Sequence, residues 1–415
     1  MGTLNSLFRE KVAKSKDFRM KNEMEHNVQY PTGFLGFDFL NGEVIHVKSD
    51  TMDFTYNSIG IVDGSMVTVI GRSGCGKTTF ITQSSGDIIR PFPESSIYMD
   101  NIEAGISTSR IKYLTNLYGD EFEDRCIIRN SGVTAENLFE RIKMIHDLKL
   151  ENRDKFEYDT GLYSSSGKHI YKLQPTVYIL DSLAMLMPAQ YTEEEELSGQ
   201  MSTTAAARVN ASIFRRIIPM LKAANIILFV VNHITDKVEI NPFAKTKAQI
   251  QYLKPDETVA GGRMALYVSN LIIRLDDTAK LKDKDGFGIN GSVVECTILK
   301  SRTARAGSSV NLIFEFERGF DRELSLFYLL KERGYVNGAG AYMYFGDRSD
   351  IKFSQKQFKD KLQVNKELQD VFAAIAMQCL NDMLSNKAIS EEAEAGEEMF
   401  DVTSSLLGQI YGRAA

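Results

Sequence analysis

Four continuous apolar runs organise the chain, and each stops at a polar residue or a glycine. Residues 66–70 end at Gly71, 96–99 at Asp100, 177–180 at Asp181 and 226–231 at Asn232 and His233. Short runs without alternation describe strands buried on both faces, as in a parallel sheet covered by helices. Between them the spacing turns helical. Leu138, Ile142, Ile145 and Leu148 make one stripe over 134–150, and Val209, Ile213, Ile217 and Leu221 make another on a helix starting near Thr203. Strands alternating with helices predict an α/β fold with a mostly parallel central sheet. Pro219 should kink or shorten the second helix.

The same reading places a short helix within 31–42, a connection over 43–64, a helix over 109–118, a strand over 126–129 and a surface insertion over 151–174. After residue 260 it places a helix over 264–268 and strands over 271–275, 292–299 and 310–316, with turns over 276–291. From about residue 334 the composition changes. Val364, Leu368, Val371, Phe372, Ile375, Cys379 and Met383 keep helical register there. A small, partly helical C-terminal domain over 334–415 is expected, with a solvated acidic patch at Glu391, Glu392, Glu394, Glu397 and Glu398. At the other end, Leu4, Leu7, Phe8 and Val12 are close to helical spacing within 1–28. That segment is either a docking tip or a frayed terminus.

The first strand runs into Gly71-Arg72-Ser73-Gly74-Cys75-Gly76-Lys77-Thr78-Thr79, which satisfies G-x-x-x-x-G-K-[ST] at every fixed position. Its glycines let backbone N–H groups turn onto phosphate oxygens, Lys77 supplies a charge for the β and γ phosphates, and Thr78 offers a hydroxyl to Mg²⁺. The helix that follows, over 77–89, points its positive end at the same place. ATP and Mg²⁺ are the expected cofactors.

Acids at the strand ends complete the picture. Asp181, after an apolar strand and downstream of a phosphate loop, suits the carboxylate that holds Mg²⁺. Two carboxylates near the second strand end, Asp100 and Glu103, each suit a general base that polarises a water for in-line attack. Arg208 and Arg215, seven residues apart, share a helix face.

Composition narrows the class further. The chain has 415 residues, 43% of them hydrophobic, and no apolar run of membrane-spanning length. Its four cysteines, Cys75, Cys126, Cys296 and Cys379, form no C-x-x-C pair, which fits a reducing cytoplasmic compartment. A net charge of -6 gives no global sign of nucleic-acid binding. The sign is local. Residues 240–254 carry Lys245, Lys247 and Lys254 with Phe243 and Tyr252 between them and no acid, a composition suited to tracking a nucleic-acid strand. The long 235–260 stretch without periodicity is expected to be functional.

Taken in order, the phosphate loop, the acid after the second strand, Leu180-Asp181-Ser182, Asn232-His233, a loop closed by Gly261 and Gly262, and Lys300-Ser301-Arg302 resemble the RecA-type recombinases over residues 31–333. The resemblance implies a RecA-like ATPase core over 29–333, a polymerisation arm over 1–28 and DNA-binding loops over 190–201 and 235–262. Glu103 matches the catalytic glutamate, and His233 the sensor of the γ phosphate. Gly261 and Gly262 would allow close backbone approach to DNA, with Arg208 and Arg215 facing it. Lys300 and Arg302 match cations that reach a neighbour's ATP. A DNA-dependent ATPase is implied, filamentous on single-stranded DNA and active in pairing with homologous duplex DNA, with mediator and single-strand-binding proteins as further partners and a bacterial host cell as its place if phage-encoded.

The chain departs from the family at Arg110, where bacterial members stack a tyrosine on adenine, so base recognition is either cation-π or absent. The second loop is also longer than expected, and 151–174 has no motif-level match. Two other functions stay open at this point: a hexameric replicative helicase and an ATP-gated scaffold that coats DNA without turnover.

Overall fold

A ten-stranded sheet carries the molecule, and its centre is the strand Met66–Gly71, every residue of which is buried. The computed structural model describes residues 27–164, 167–189, 199–236, 248–259, 263–282, 289–338 and 341–388. Across the sheet the order is Gly319–Asp321, Ser309–Glu315, Ile289–Lys300, Leu271–Lys282, Met66–Gly71, Ile226–Asp236, Thr176–Asp181, Ile97–Asn101 and Cys126–Arg129. The six strands from Leu271–Lys282 to Cys126–Arg129 run parallel, and the first three form an antiparallel meander beside them. A tenth strand, Glu257–Val259, pairs antiparallel with the far end of Ile226–Asp236.

Chain order explains where a ligand would bind. Both neighbours of Met66–Gly71 come from much later in the sequence, so the chain leaves this strand by crossing over two others to reach Ile97–Asn101. Such a switch point opens a crevice at the carboxyl ends of the strands. The two faces are covered separately, because successive side chains alternate. Val177 and Ile179 join Phe80, Ile81 and Ile88 of the helix Lys77–Ile89 on one face. Tyr178 and Leu180 join Leu138, Ile142, Phe214, Ile217 and Leu221 of the helices Ala135–Glu151 and Gly199–Ala224 on the other.

Several expectations change. The helix Gly199–Ala224 is not cut short at Pro219, as packing of its apolar stripe outweighs the proline's lost hydrogen bond and ring clash, together a cost of about 3 kcal/mol. Leu148 is exposed and leaves the stripe of Ala135–Glu151. The connection at 43–64 contains a hairpin, Glu43–Lys48 with Asp53–Ser58. The insertion at 151–174 is a short helix, Arg153–Phe156, and a second hairpin, Glu157–Tyr163 with His169–Leu173. That hairpin is tied to the core: Tyr158 and Tyr30 share a hydroxyl contact of 3.0 Å, and the Tyr158 ring meets Phe92. Most of the turn-rich 276–291 stretch is strand, because Leu271–Lys282 and Ile289–Lys300 extend toward each other. Val364 ends the helix Phe358–Val364 and is exposed, so it does not belong to the stripe of Lys366–Ala388. Phe372, Cys379 and Met383 of that stripe lie in the same apolar cluster as the sheet and the phosphate-loop helix.

Candidate nucleotide site and nucleic-acid interface

Two glycines shape the loop, one by its backbone conformation and one by close packing. Gly76 has a φ of 86° at the start of Lys77–Ile89, and a Cβ there would meet the Phe320 ring at 2.8 Å. A Cβ on Gly71 would strike the Leu275 carbonyl at 2.5 Å and Cys75 Sγ at 2.7 Å. Gly76 brings no side-chain cap to the helix, which leaves its first N–H groups to an anion. Lys77 is buried, and its ammonium donates to the carbonyls of Gly71 at 3.0 Å and Arg72 at 2.8 Å. Arg72, Ser73 and Gly74 are exposed at the apex, Thr78 and Thr79 are half-buried, and Cys75 is buried beneath, where burial pushes its thiol pKa up.

Thr78 Oγ1 donates to Asp181 Oδ2 at 2.6 Å, joining the loop to the end of the third strand. Burial raises the Asp181 pKa, against the Thr78 hydrogen bond and the Lys77 charge, which lower it. The other oxygen, Asp181 Oδ1, is buried without a hydrogen-bond partner. An orphaned carboxylate oxygen beside a threonine hydroxyl fits Mg²⁺, which takes few protein ligands and fills the rest of its octahedron with water and phosphate. Among the described residues no cluster of three or more His, Cys, Asp or Glu forms a closed metal cage.

The two candidate bases separate cleanly. Asp100 is buried, accepts from Tyr178 Oη at 2.5 Å and pairs with Arg141, so its carboxylate is committed to the helix-covered face. Glu103 instead lies on the open edge, its side chain 32% exposed. Glu103 Oε1 accepts from Ser182 Oγ and meets His233 Nε2 at 2.8 Å. Burial works to raise the Glu103 pKa, but the bonds from Ser182 and His233 outweigh it and hold the carboxyl below its ordinary value. The sequence names Ser182 only within Leu180-Asp181-Ser182 and gives it no role of its own.

His233 lies directly beside Gly71 in the parallel register, and its strand ends at Asp236, where the second loop begins. Lys77, Thr78, Asp181, Glu103 and His233 therefore meet at the carboxyl ends of the central parallel strands. Lys300 takes a different place. Its ammonium donates to the carbonyls of Leu266 at 3.0 Å and Tyr267 at 2.7 Å, closing the end of the helix Arg263–Val268. Burial, then the Arg302 charge, lowers its pKa. Arg302 is exposed. Arg110 bonds the carbonyls of Phe316 and Glu317 and lies 5.5 Å from the Tyr113 ring centre.

Arg208 and Arg215 are both exposed on Gly199–Ala224. Tyr252 is half exposed with a φ of 64°, and its ring lies against Gly307. Lys254 is exposed, and Tyr252 and Lys254 line a cavity of about 560 Å³ with Arg72, Ser73 and Arg274. Phe243, Lys245, Lys247, Gly261 and Gly262 lie outside the described residues, as do 1–26, 190–198 and the acidic patch. No helix among the described residues is long and apolar enough to cross a membrane.

No family model matches the chain. It is similar to the RecA protein of Mannheimia haemolytica, 26% identical over 233 residues, which covers 54% of this chain and 57% of that protein. The RecA protein of Geobacter sulfurreducens is 25% identical over 176 residues, 41% of this chain and 47% of that protein. That of Thermotoga maritima is 19% identical over 227 residues, 52% of this chain and 60% of that protein. The chain thus spans about half the length of the curated relatives it matches. Distant as they are, these matches agree with the α/β core and its phosphate loop, and together they support a RecA-type family for this chain.

Proposed function

We propose that the chain is an ATP-dependent DNA recombinase, a DNA-dependent ATPase that forms filaments on single-stranded DNA and promotes homologous pairing and strand exchange. One observation carries this reading: the strand that brings His233 to Glu103 runs straight from the phosphate loop's side into the second candidate DNA loop. A nucleotide at the loop and a DNA strand on 235–262 would then act on one rigid element.

In this reading Lys77 and the loop amides hold the phosphates, Glu103 is the general base, and His233 senses the γ phosphate. Thr78 and Asp181 would hold Mg²⁺, which when bound would supply charge neutralisation for the phosphates. Lys300 and Arg302 face a neighbouring copy's nucleotide, residues 1–28 dock protomers, and 334–415 form the C-terminal domain. Arg208, Arg215, Tyr252 and Lys254, with Phe243, Lys245, Lys247, Gly261 and Gly262, contact DNA. Histidine after Asn232 further supports a place near the phage recombinase UvsX.

Electron microscopy with single-stranded DNA and a non-hydrolysable ATP analogue tests the reading. Helical filaments with nucleotide between subunits are expected. Closed rings would turn the assignment to a helicase, and isolated monomers would overturn assembly on DNA.

A further inference from the structure

The dipeptide Asp181-Ser182 holds Glu103 twice. Its carbonyl, from Asp181, accepts the backbone N–H groups of Ile102 at 2.6 Å and Glu103 at 3.3 Å. Its hydroxyl, from Ser182, donates to Glu103 Oε1. Ser182 is fully buried, so water does not compete for that hydroxyl. On the preceding side Asn101 braces the same loop, donating to the Ile106 carbonyl at 3.1 Å and to Asn130 Oδ1 at 2.8 Å.

Both side-chain partners of Glu103 approach the same oxygen. With Oε1 engaged by Ser182 and His233, Oε2 has no hydrogen-bond partner among the described residues. We propose that Ser182 is a positioning residue for hydrolysis, which orients the Glu103 carboxylate so that Oε2 takes the proton of the attacking water. The inference rests on the ATPase reading above. In the step served, the water oxygen bonds to the γ phosphorus while the bond from that phosphorus to the β–γ bridging oxygen breaks. ADP leaves with the electron pair, and the water proton passes to Oε2.

A residue that only packs would not set the direction of the Glu103 carboxylate. The charged or titratable groups facing this carboxylate are His233 from its strand, Lys77 from the helix start and Asp181 beside Ser182. Ser182 fixes the carboxylate by its hydrogen bond to Oε1, so its loss should let the carboxylate turn away from the productive orientation.

The experiment compares kcat and KM for steady-state ATP hydrolysis, with single-stranded DNA, for the full chain and for S182A, S182T, E103Q and the E103Q/S182A pair. Expected for S182A are a kcat loss of about ten- to a hundredfold and little change in KM for ATP. S182T, which keeps the hydroxyl, should recover most of the rate. In the E103Q background S182A should cost nothing more, since it acts through that carboxylate. A wild-type kcat in S182A, an S182T rate no better than that of S182A, or a further full loss on top of E103Q overturns the proposal while leaving the ATPase reading intact. No DNA-stimulated hydrolysis in the wild type would remove the reading and the proposal together.

Discussion

Arg72 at the apex of the phosphate loop grips Asp236 at two points, Nη2 to Oδ1 at 2.6 Å and Nη1 to Oδ2 at 3.4 Å. Asp236 is the last residue of the strand that carries His233, and it pairs across the ladder with Glu257 on the returning strand. The contact therefore joins the nucleotide loop to both stems of the second candidate DNA loop.

Asp236→Asn should weaken that link without unfolding anything. Both side chains are more than half exposed, where an ion pair contributes little to stability. The melting temperature should stay unchanged and ATP should bind normally, while stimulation of hydrolysis by single-stranded DNA falls several-fold. Equal stimulation in wild type and variant would show that the pair is an ordinary surface contact.

The returning strand has a deeper anchor. Glu257 bonds Arg274 at 2.6 Å and 3.0 Å, with side chains only 1% and 8% exposed. Glu257→Gln leaves Arg274 with Asp276 alone and should cost about 3 kcal/mol, read from urea denaturation. Burial works to raise the Glu257 pKa, but Arg274 outweighs it and the net shift is downward. A lowered folded-state pKa contributes stability above the unfolded value and loses it as pH falls through the folded one. The wild type should thus lose stability on acidification below the ordinary glutamate range, and the glutamine variant should lose less over that window.

The parallel core was legible because its strands are buried on both faces and so read as unbroken apolar runs; 177–180 and 226–231 fall inside Thr176–Asp181 and Ile226–Asp236. The hairpin of Glu157–Tyr163 was not legible. One of its faces is solvated and Gly161 interrupts it, so the alternation is weak, and its anchor, Tyr30, lies far away in sequence. At the site, Lys77, Thr78 and Asp181 announce themselves by motif. Between Asp100 and Glu103 the resemblance already favours Glu103, and packing adds what no motif could, that Arg141 and Tyr178 occupy Asp100.

Mg²⁺ dependence should follow the Thr78 and Asp181 pair. Asp181→Asn removes the charge while keeping the shape, and Thr78→Ala removes the hydroxyl. Either should raise the Mg²⁺ concentration for half-maximal hydrolysis by at least about tenfold, and chelation should abolish turnover in the wild type. Hydrolysis by Asp181→Asn at wild-type Mg²⁺ would exclude this pair as the metal's seat.

The last helix is coupled to the core through aromatic rings. Phe358 stacks on Phe327 with centres 4.6 Å apart and meets Phe372 at 5.3 Å, all three buried. Phe327 belongs to Arg322–Glu332, a helix that packs on the sheet strand Ser309–Glu315. Phe358→Ala opens a cavity between these elements and should cost about 3–5 kcal/mol. Because the cluster is continuous with the phosphate-loop helix, that cost should appear in nucleotide-binding and helical signals alike, in one shifted transition. Separate transitions, with the C-terminal helix melting first and nucleotide binding unchanged, would mean that residues 341–388 fold apart from the sheet.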